Sequence, residues 1–162
     1  MNRNKTLQLA NAGMIAALYV VLTWIANLLG LASGAIQVRL SEALTILPVF
    51  TVSAVPGLAV GCVLANLLTG CAAWDVVFGS LATLIGALGT RLLKNRPMLA
   101  WIPPVVSNAA IVPVILLKVY GVPDAWWFLV LTVGAGELIS CGLLGLLLWK
   151  ALKNVPQIRN MK

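Results

Sequence analysis

Two of the four acidic residues in this chain stand inside apolar segments, where an ionisable side chain is costly. Glu137 lies in "VGAGELISCG", about eleven residues into an apolar run and among small neighbours. Glu42 lies in "IQVRLSEALTILPVF", three residues after Arg39. We predict a ligand-binding or coupling role for Glu137, the alternative being a helix-packing hydrogen bond. For Glu42 the sequence leaves two roles open, a ligand contact or an ion pair with Arg39.

Other polar residues in apolar surroundings extend this set of candidates. Asn66 in "VLANLLTG" and Asn108 in "PPVVSNAAIVP" offer amide donors and acceptors to a ligand, or a hydrogen bond between helices. Asp75 in "CAAWDVVFGS" is either a ligand contact or an N-cap. Trp74 beside it has the shape to stack on a flat ligand, although the tryptophans near predicted helix ends are typical of an aromatic belt.

Several kinds of chemistry are disfavoured by what the chain lacks. It contains no histidine and three cysteines without a paired spacing, so we expect no catalytic residues, no cofactor and no metal or disulfide framework. It also lacks the GxxxxGK[ST] phosphate-binding motif. Uphill transport would therefore need energy from a partner or from an ion gradient.

The composition indicates an integral membrane protein. The chain is 61% hydrophobic and only 9% charged, against about 25% charged residues in a soluble domain. We predict one all-α domain over residues 1–162, with six helices near 7–30, 37–53, 57–71, 76–93, 99–119 and 126–150. The second and third are short for a full span. The first apolar run is longer than expected for a cleaved signal peptide.

The distribution of charge predicts the orientation of these helices. With both termini inside, nine basic residues and no acidic ones face the cytoplasm, which fits the positive-inside rule. They are Arg3, Lys5, Arg91, Lys94, Arg96, Lys150, Lys153, Arg159 and Lys162. This basic surface suits anionic lipid, and no pattern of basic and aromatic residues indicates nucleic acid.

Two features of the helices bear on their packing. Pro103, Pro104 and Pro113 are expected to interrupt the fifth helix and free backbone carbonyls around Asn108. The first helix carries a patch of small residues that lets another helix approach closely, either within this chain or from a partner. The patch consists of Ala12, Gly13, Ala16 and Ala17.

Five segments in the same order resemble the QueT family, the queuosine-precursor transporters. They are "IQVRLSEALTILPVFT", "AVPGLAVGCVLANLLTG", "WDVVFGSLATLIGALGT", "PPVVSNAAIVP" and "GELISCGLLG", within a resemblance over residues 12–148. This resemblance implies the six-helix fold of a substrate-binding S component of an energy-coupling factor (ECF) importer, in the bacterial plasma membrane. It implies a transmembrane coupling protein and two cytoplasmic ATPases as partners, docked on the small-residue patch.

The resemblance also implies a 7-deazaguanine solute: preQ1, or else preQ0 or queuine. One carboxylate can accept both adjacent donors of the guanine-like edge, and a second can bind the cationic aminomethyl group of preQ1. We expect Glu42 and Glu137 to divide these tasks, with Arg39 orienting Glu42 and Asp75 in reserve. The alternatives are a self-contained secondary carrier, a membrane enzyme and a structural subunit.

Overall fold

The computed structural model describes residues 3–31 and 36–156, and every regular element in them is a helix. The α-helices are α1 (Arg3–Leu28), α2 (Ala54–Leu68), α3 (Ala73–Leu92), α4 (Ile102–Lys118), α5 (Trp126–Glu137) and α6 (Gly145–Leu152). A 3₁₀ helix occupies Leu40–Val49, a short one occupies Pro97–Leu99, and a π-helical segment, Leu138–Leu144, joins α5 to α6. Arg159 and Lys162, assigned above to the cytoplasmic side, lie outside the described residues.

Four helical stretches are long and apolar enough to cross a membrane. They are Asn4–Leu28, Ala73–Leu92, Pro97–Lys118 and Trp126–Leu152. The 3₁₀ helix and α2, which correspond to the second and third predicted helices, have 10 and 15 residues and are shorter than a span. The structure thus confirms an all-helical chain with two short elements, and six complete spans stay a prediction.

The second predicted helix differs most from its expected form. In place of an α-helix over 37–53, the chain forms a 3₁₀ helix at Leu40–Val49, with Pro48 inside it. Proline has no N–H to donate, which disfavours a regular α-helical ladder there. The Pro48 carbonyl instead accepts a hydrogen bond from Arg91 Nη1 at 3.0 Å. This 3₁₀ helix packs against α1, α2, α3, α6 and the π segment, so it forms the centre of the bundle.

The prolines of α4 do not interrupt it as the sequence suggested. Pro103 and Pro104 lie in its first turn, where a missing N–H leaves no hydrogen bond unmade. Pro113 lies inside the helix, which nevertheless continues to Lys118. The expected interruption around Asn108 was therefore wrong.

Glycines let α2 lie very close to α1. A Cβ atom at Gly57 would come within 2.7 Å of the Ala12 carbonyl oxygen, and one at Gly61 within 3.0 Å of Ala16 Cα. Backbone contact of this kind is typical of small-xxx-small helix pairs in membranes. It places Tyr19, one turn further along α1, against α2 and the 3₁₀ helix.

Candidate functional site

A polar cavity of about 350 Å³ opens where α1 and α2 end and α3 begins. Its size is within the usual range for sites that bind small molecules, about 300–1,000 Å³. Its wall combines two tyrosines, three amides, a guanidinium and a carboxylate with hydroxyl groups, a thiol and a few apolar side chains. The lining residues are Tyr19, Thr23, Ala26, Asn27, Gln37, Arg39, Ser41, Asn66, Thr69, Cys71, Asp75, Leu116, Tyr120 and Val122.

Asp75 is the only carboxylate in this lining. It lies in the first turn of α3, but α3 begins at Ala73 and Asp75 does not cap it, so the predicted N-cap is wrong. Its Oδ2 accepts a hydrogen bond from Tyr120 at 3.1 Å. Its Oδ1 is buried without a partner. Because a buried carboxylate oxygen normally has a hydrogen-bond partner, this oxygen is a candidate to accept a donor from a ligand.

Asn66 on α2 lies next to Asp75. Its Nδ2 is 3.4 Å from the Asp75 carbonyl oxygen, which ties the end of α2 to the start of α3. Both side chains cover Gly79: a Cβ atom there would lie 3.0 Å from Asp75 Oδ1 and 3.3 Å from Asn66 Nδ2. The absence of a side chain at Gly79 therefore leaves room for this acid–amide pair.

Glu42 lies directly behind the cavity wall, in the first turn of the 3₁₀ helix, and is 1% exposed. Its Oε1 accepts a hydrogen bond from the hydroxyl group of Tyr19, which itself lines the cavity. The Glu42 backbone carbonyl accepts a further bond from Thr45 Oγ1 at 2.6 Å. Arg39 forms no ion pair within 4.0 Å of a carboxylate among residues 3–31 and 36–156. The partner that orients Glu42 is thus Tyr19 on α1.

Glu137 meets Glu42 from the other side of the bundle. It is the last residue of α5 and is 6% exposed. Its Oε2 accepts a hydrogen bond from Cys141 Sγ at 3.2 Å. One carboxylate oxygen of Glu42, one of Glu137 and Cys141 Sγ lie within 4.8 Å of one another. Groups this close can share one cation.

The start of the π segment holds this acidic pair in place. Ser140 Oγ accepts a hydrogen bond from the backbone N–H of Arg39 at 3.1 Å and donates one to the Gly136 carbonyl at 2.9 Å. A Cβ atom at Gly136 would overlap the backbone of Gln37. The chain leading into the 3₁₀ helix therefore rests on α5, beside Glu137. π-helical turns inside longer helices are frequent at functional sites.

Asn108 on α4 completes the buried group and is 2% exposed. It is adjacent to both Glu42 and Glu137. Its Nδ2 nevertheless has no hydrogen-bond partner, and neither does Glu42 Oε2. The interior thus contains a donor on Asn108 and an acceptor on Glu42, neither of which has a hydrogen-bond partner.

The structure brings six of the seven predicted site residues together in two layers. Arg39, Asn66 and Asp75 line the cavity. Glu42, Asn108 and Glu137 lie buried behind its wall. Trp74 is not brought to the site: it is 60% exposed and stacks on Phe78, with ring centroids 5.6 Å apart, at an apolar groove on the outside of the bundle.

The site residues missing from the sequence analysis are Tyr19 and Tyr120. They are the two tyrosines of the chain, and both donate to carboxylates of the site. Tyr120 OH also accepts the backbone N–H of Ala72 at 3.1 Å, which connects the segment after α4 to the start of α3. The available signal was a tyrosine within the apolar first helix, whose hydroxyl group requires a partner when buried.

The small-residue patch of α1 is divided between two environments. Ala12 and Ala16 pack against Gly57 and Gly61 of α2, as described above. Gly13 and Ala17 are exposed, and Gly13 has nothing within 4 Å of a Cβ position. A groove lined by Gly13, together with Ala12 and Ala16, has a volume of about 540 Å³.

The fold and the site together define a class of protein. Long apolar helices with mostly apolar outer faces surround a polar cavity of small-molecule size, as in a multi-pass membrane protein that handles a solute.

Comparison with known proteins identifies the family. Residues 9–154 match the QueT transporter family, so the chain belongs to that family. Over 86 residues it is 35% identical to the queuosine precursor transporter QueT of Lactococcus lactis subsp. cremoris. That alignment covers 52% of this chain and spans about half, 50%, of the length of the relative. No solved structure matches the chain.

Proposed function

We propose that this protein is the substrate-binding S component of an ECF-type importer for a 7-deazaguanine precursor of queuosine. The observation that carries this proposal is the polar cavity with the free Asp75 carboxylate oxygen, in a chain of the QueT transporter family. The proposed solute follows from the printed name of the Lactococcus relative, a queuosine precursor transporter.

The chemistry of a 7-deazaguanine fits the lining of the cavity. Its guanine-like edge presents a ring N–H and an exocyclic amine as adjacent donors, which one carboxylate can accept together. In this proposal Asp75 takes this role, and its position in the cavity lining beside Asn66 supports it. The flat bicycle can stack on an aromatic ring, and the cavity wall offers Tyr19 and Tyr120.

Six membrane crossings with both termini in the cytoplasm are part of the proposal. The long helices supply four crossings, and the 3₁₀ helix and α2 would supply two shorter ones. The turn between α3 and α4 carries exposed Lys94 and Arg96, and exposed Lys150 and Lys153 lie at the end of α6. Basic residues at these two places fit a cytoplasmic side. The cavity, at the opposite ends of α1 and α3, would then open outward.

The partners proposed for transport are a transmembrane coupling protein and two cytoplasmic ATPases in a bacterial plasma membrane. The exposed Gly13 and Ala17 with the adjacent groove offer a close-approach surface for the coupling protein. A secondary carrier, which would work without these subunits, is the second candidate. Glu42 and Glu137 favour it in one respect, because buried carboxylates also serve ion-coupled carriers.

Binding is tested by calorimetric titration of the detergent-purified protein with preQ1, queuine and guanine. Binding of preQ1 or queuine in preference to guanine is the expected result. If none of the three binds, the substrate assignment is wrong.

Coupling is tested by reconstituting the protein in lipid vesicles with and without the coupling protein and the ATPases. The proposal expects uptake of the bound solute only with all subunits and ATP. If the protein alone takes up the solute, and this uptake stops when an ionophore collapses the ion gradient, the protein is a secondary carrier and not an S component.

A further inference from the structure

The Glu42–Glu137 pair is buried, and the nearby guanidinium of Arg39 forms no ion pair with either carboxylate within 4.0 Å. Their carboxylate oxygens approach within 4.8 Å, and neither forms an ion pair within 4.0 Å among the described residues. Two like charges at this distance repel strongly when they are removed from water. The charge of Arg39 offsets part of this repulsion, and a proton or a cation between the two carboxylates would remove the rest.

The hydrogen bonds already made leave two buried polar atoms beside the pair without a partner. Tyr19 occupies Glu42 Oε1 and Cys141 occupies one oxygen of Glu137. Glu42 Oε2 remains without a partner, as does the neighbouring Nδ2 of Asn108. A polar atom that is buried without a hydrogen-bond partner destabilises the fold. A ligand that brings a cationic donor next to an acceptor would satisfy both atoms.

The geometry points to a subsite for an organic ammonium group, and we propose that Glu42 and Glu137 bind it together. This inference rests on the proposed function and names the part of the solute that the pair recognises. In a 7-aminomethyl-7-deazaguanine the ammonium arm and the ring carbonyl lie on neighbouring positions of the bicycle. The ammonium group binds the two carboxylates while Asn108 Nδ2 donates to the carbonyl.

The short distance between Glu42 and Glu137 argues against one of them binding the guanine-like edge of the ligand while the other binds the ammonium group. Two acceptors at opposite edges of a bicycle are separated by its width plus two hydrogen bonds of about 2.8 Å each. The distance of at most 4.8 Å is shorter than the two hydrogen bonds alone. The two facing oxygens, one from each carboxylate, thus bind one group, and Asp75 in the cavity wall is left to accept the donors of the other edge.

The position of Tyr19 makes this arrangement continuous with the cavity. Its side chain lines the cavity and bonds to Glu42, so the acidic pair lies only one side chain behind the wall. A solute seated in the cavity has to extend only a short arm past Tyr19 to reach the pair. The cavity then binds the bicyclic base, and Glu42 and Glu137 bind the charged ammonium group of the arm.

The test is calorimetry on the purified full chain with two probes, 7-aminomethyl-7-deazaguanine and 7-cyano-7-deazaguanine, which differ in the charged arm. We expect the wild type to bind the aminomethyl compound roughly 10- to 100-fold more tightly, the ratio typical of a charge-assisted hydrogen bond. In Glu42→Gln and Glu137→Gln this preference should shrink towards equal affinity. Asp124→Asn, which removes an exposed carboxylate outside both layers, should keep it.

The possible outcomes separate this inference from the proposed function. Equal affinity of the wild type for both probes would overturn the ammonium subsite and leave the S-component proposal standing. Loss of both probes in equal proportion in the two glutamine variants would also overturn it, because the pair would then not discriminate charge. Binding of neither probe to the wild type would overturn the proposed function and the subsite with it. Because the comparison of probes is made on the wild type, it holds even if a variant fails to fold.

Discussion

Tyr19 of α1 donates its hydroxyl hydrogen to Oε1 of Glu42, the third residue of the 3₁₀ helix, and both side chains are buried. This bond joins the first helix to the centre of the bundle and fixes one oxygen of a buried acid. It leaves the other oxygen free next to Glu137 and Asn108. The same contact thus stabilises the fold and orients the site.

Tyr19→Phe is expected to destabilise the protein by about 1–3 kcal/mol, because both oxygens of a buried acid would then lack a donor. The ring itself still packs between α1 and α2, so the loss isolates the hydroxyl group. Thermal unfolding in detergent measures the change. Tyr120→Phe is the comparison. It also removes a donor from a buried acid, Asp75, but Tyr120 is half-exposed at the cavity, where water can replace its hydroxyl group, so the expected loss is below about 1 kcal/mol. An unchanged midpoint in Tyr19→Phe would mean that another donor, such as Arg39, takes over Glu42.

Gly61→Ala should destabilise the contact between α1 and α2. The added Cβ would lie 2.8 Å from Tyr19 Cβ and 3.0 Å from Ala16 Cα, which no rotamer change can relieve. Overpacking of this kind costs about 1–3 kcal/mol. Gly13→Ala, on the same pair of helices but with nothing within 4 Å, should leave the unfolding midpoint unchanged or raise it. Equal midpoints for the two variants would show that α1 and α2 separate without cost.

Much of the helical framework follows from simple patterning of the sequence. Apolar runs divided by glycine, proline and charge located every long helix, and α3 and α4 begin or end within a few residues of their predicted bounds. The 3₁₀ helix was not predictable, because its form depends on packing against five other elements. The π segment was not predictable for a similar reason. Its residues have the pattern of an ordinary apolar helix, and its contacts, such as that of Ser140 with Arg39, come from distant parts of the chain.

The candidate site was predictable in its residues but not in its arrangement. An acidic residue in an apolar run is energetically costly and is therefore often functional, and this identified Glu42 and Glu137 as candidates. Sequence spacing offered Arg39 as the partner of Glu42, because it lies three residues away, whereas the partner in the fold, Tyr19, is 23 residues away. Partners of buried polar groups that come from distant elements are set by the tertiary fold. For the same reason Trp74, next to Asp75 in sequence, faces outward in the structure.

Asp75→Asn should weaken binding of the deazaguanine by about tenfold or more, since the neutral amide offers one acceptor where the carboxylate offers two. The substitution keeps the shape of the side chain and an oxygen for Tyr120, so the unfolding midpoint should change little. Calorimetric titration with preQ1 measures the affinity, with Asp124→Asn as the control for loss of one exposed negative charge. If Asp75→Asn binds preQ1 with unchanged affinity, the carboxylate that accepts the donors of the base is another residue.

Gly13→Leu and Ala17→Leu should separate docking from solute binding. Both positions are exposed on α1, on the side of the proposed close approach and away from the cavity lining. A leucine there keeps another helix at a distance but does not disturb Ala12 and Ala16, which pack on α2. We expect unchanged affinity for preQ1 and at least about tenfold weaker association with the coupling protein, measured by co-purification and by ATP-dependent uptake in vesicles. Ala110→Leu, which adds the same bulk to an exposed position on α4, should affect neither. If Gly13→Leu and Ala17→Leu assemble and transport normally, the coupling protein approaches another face of the bundle.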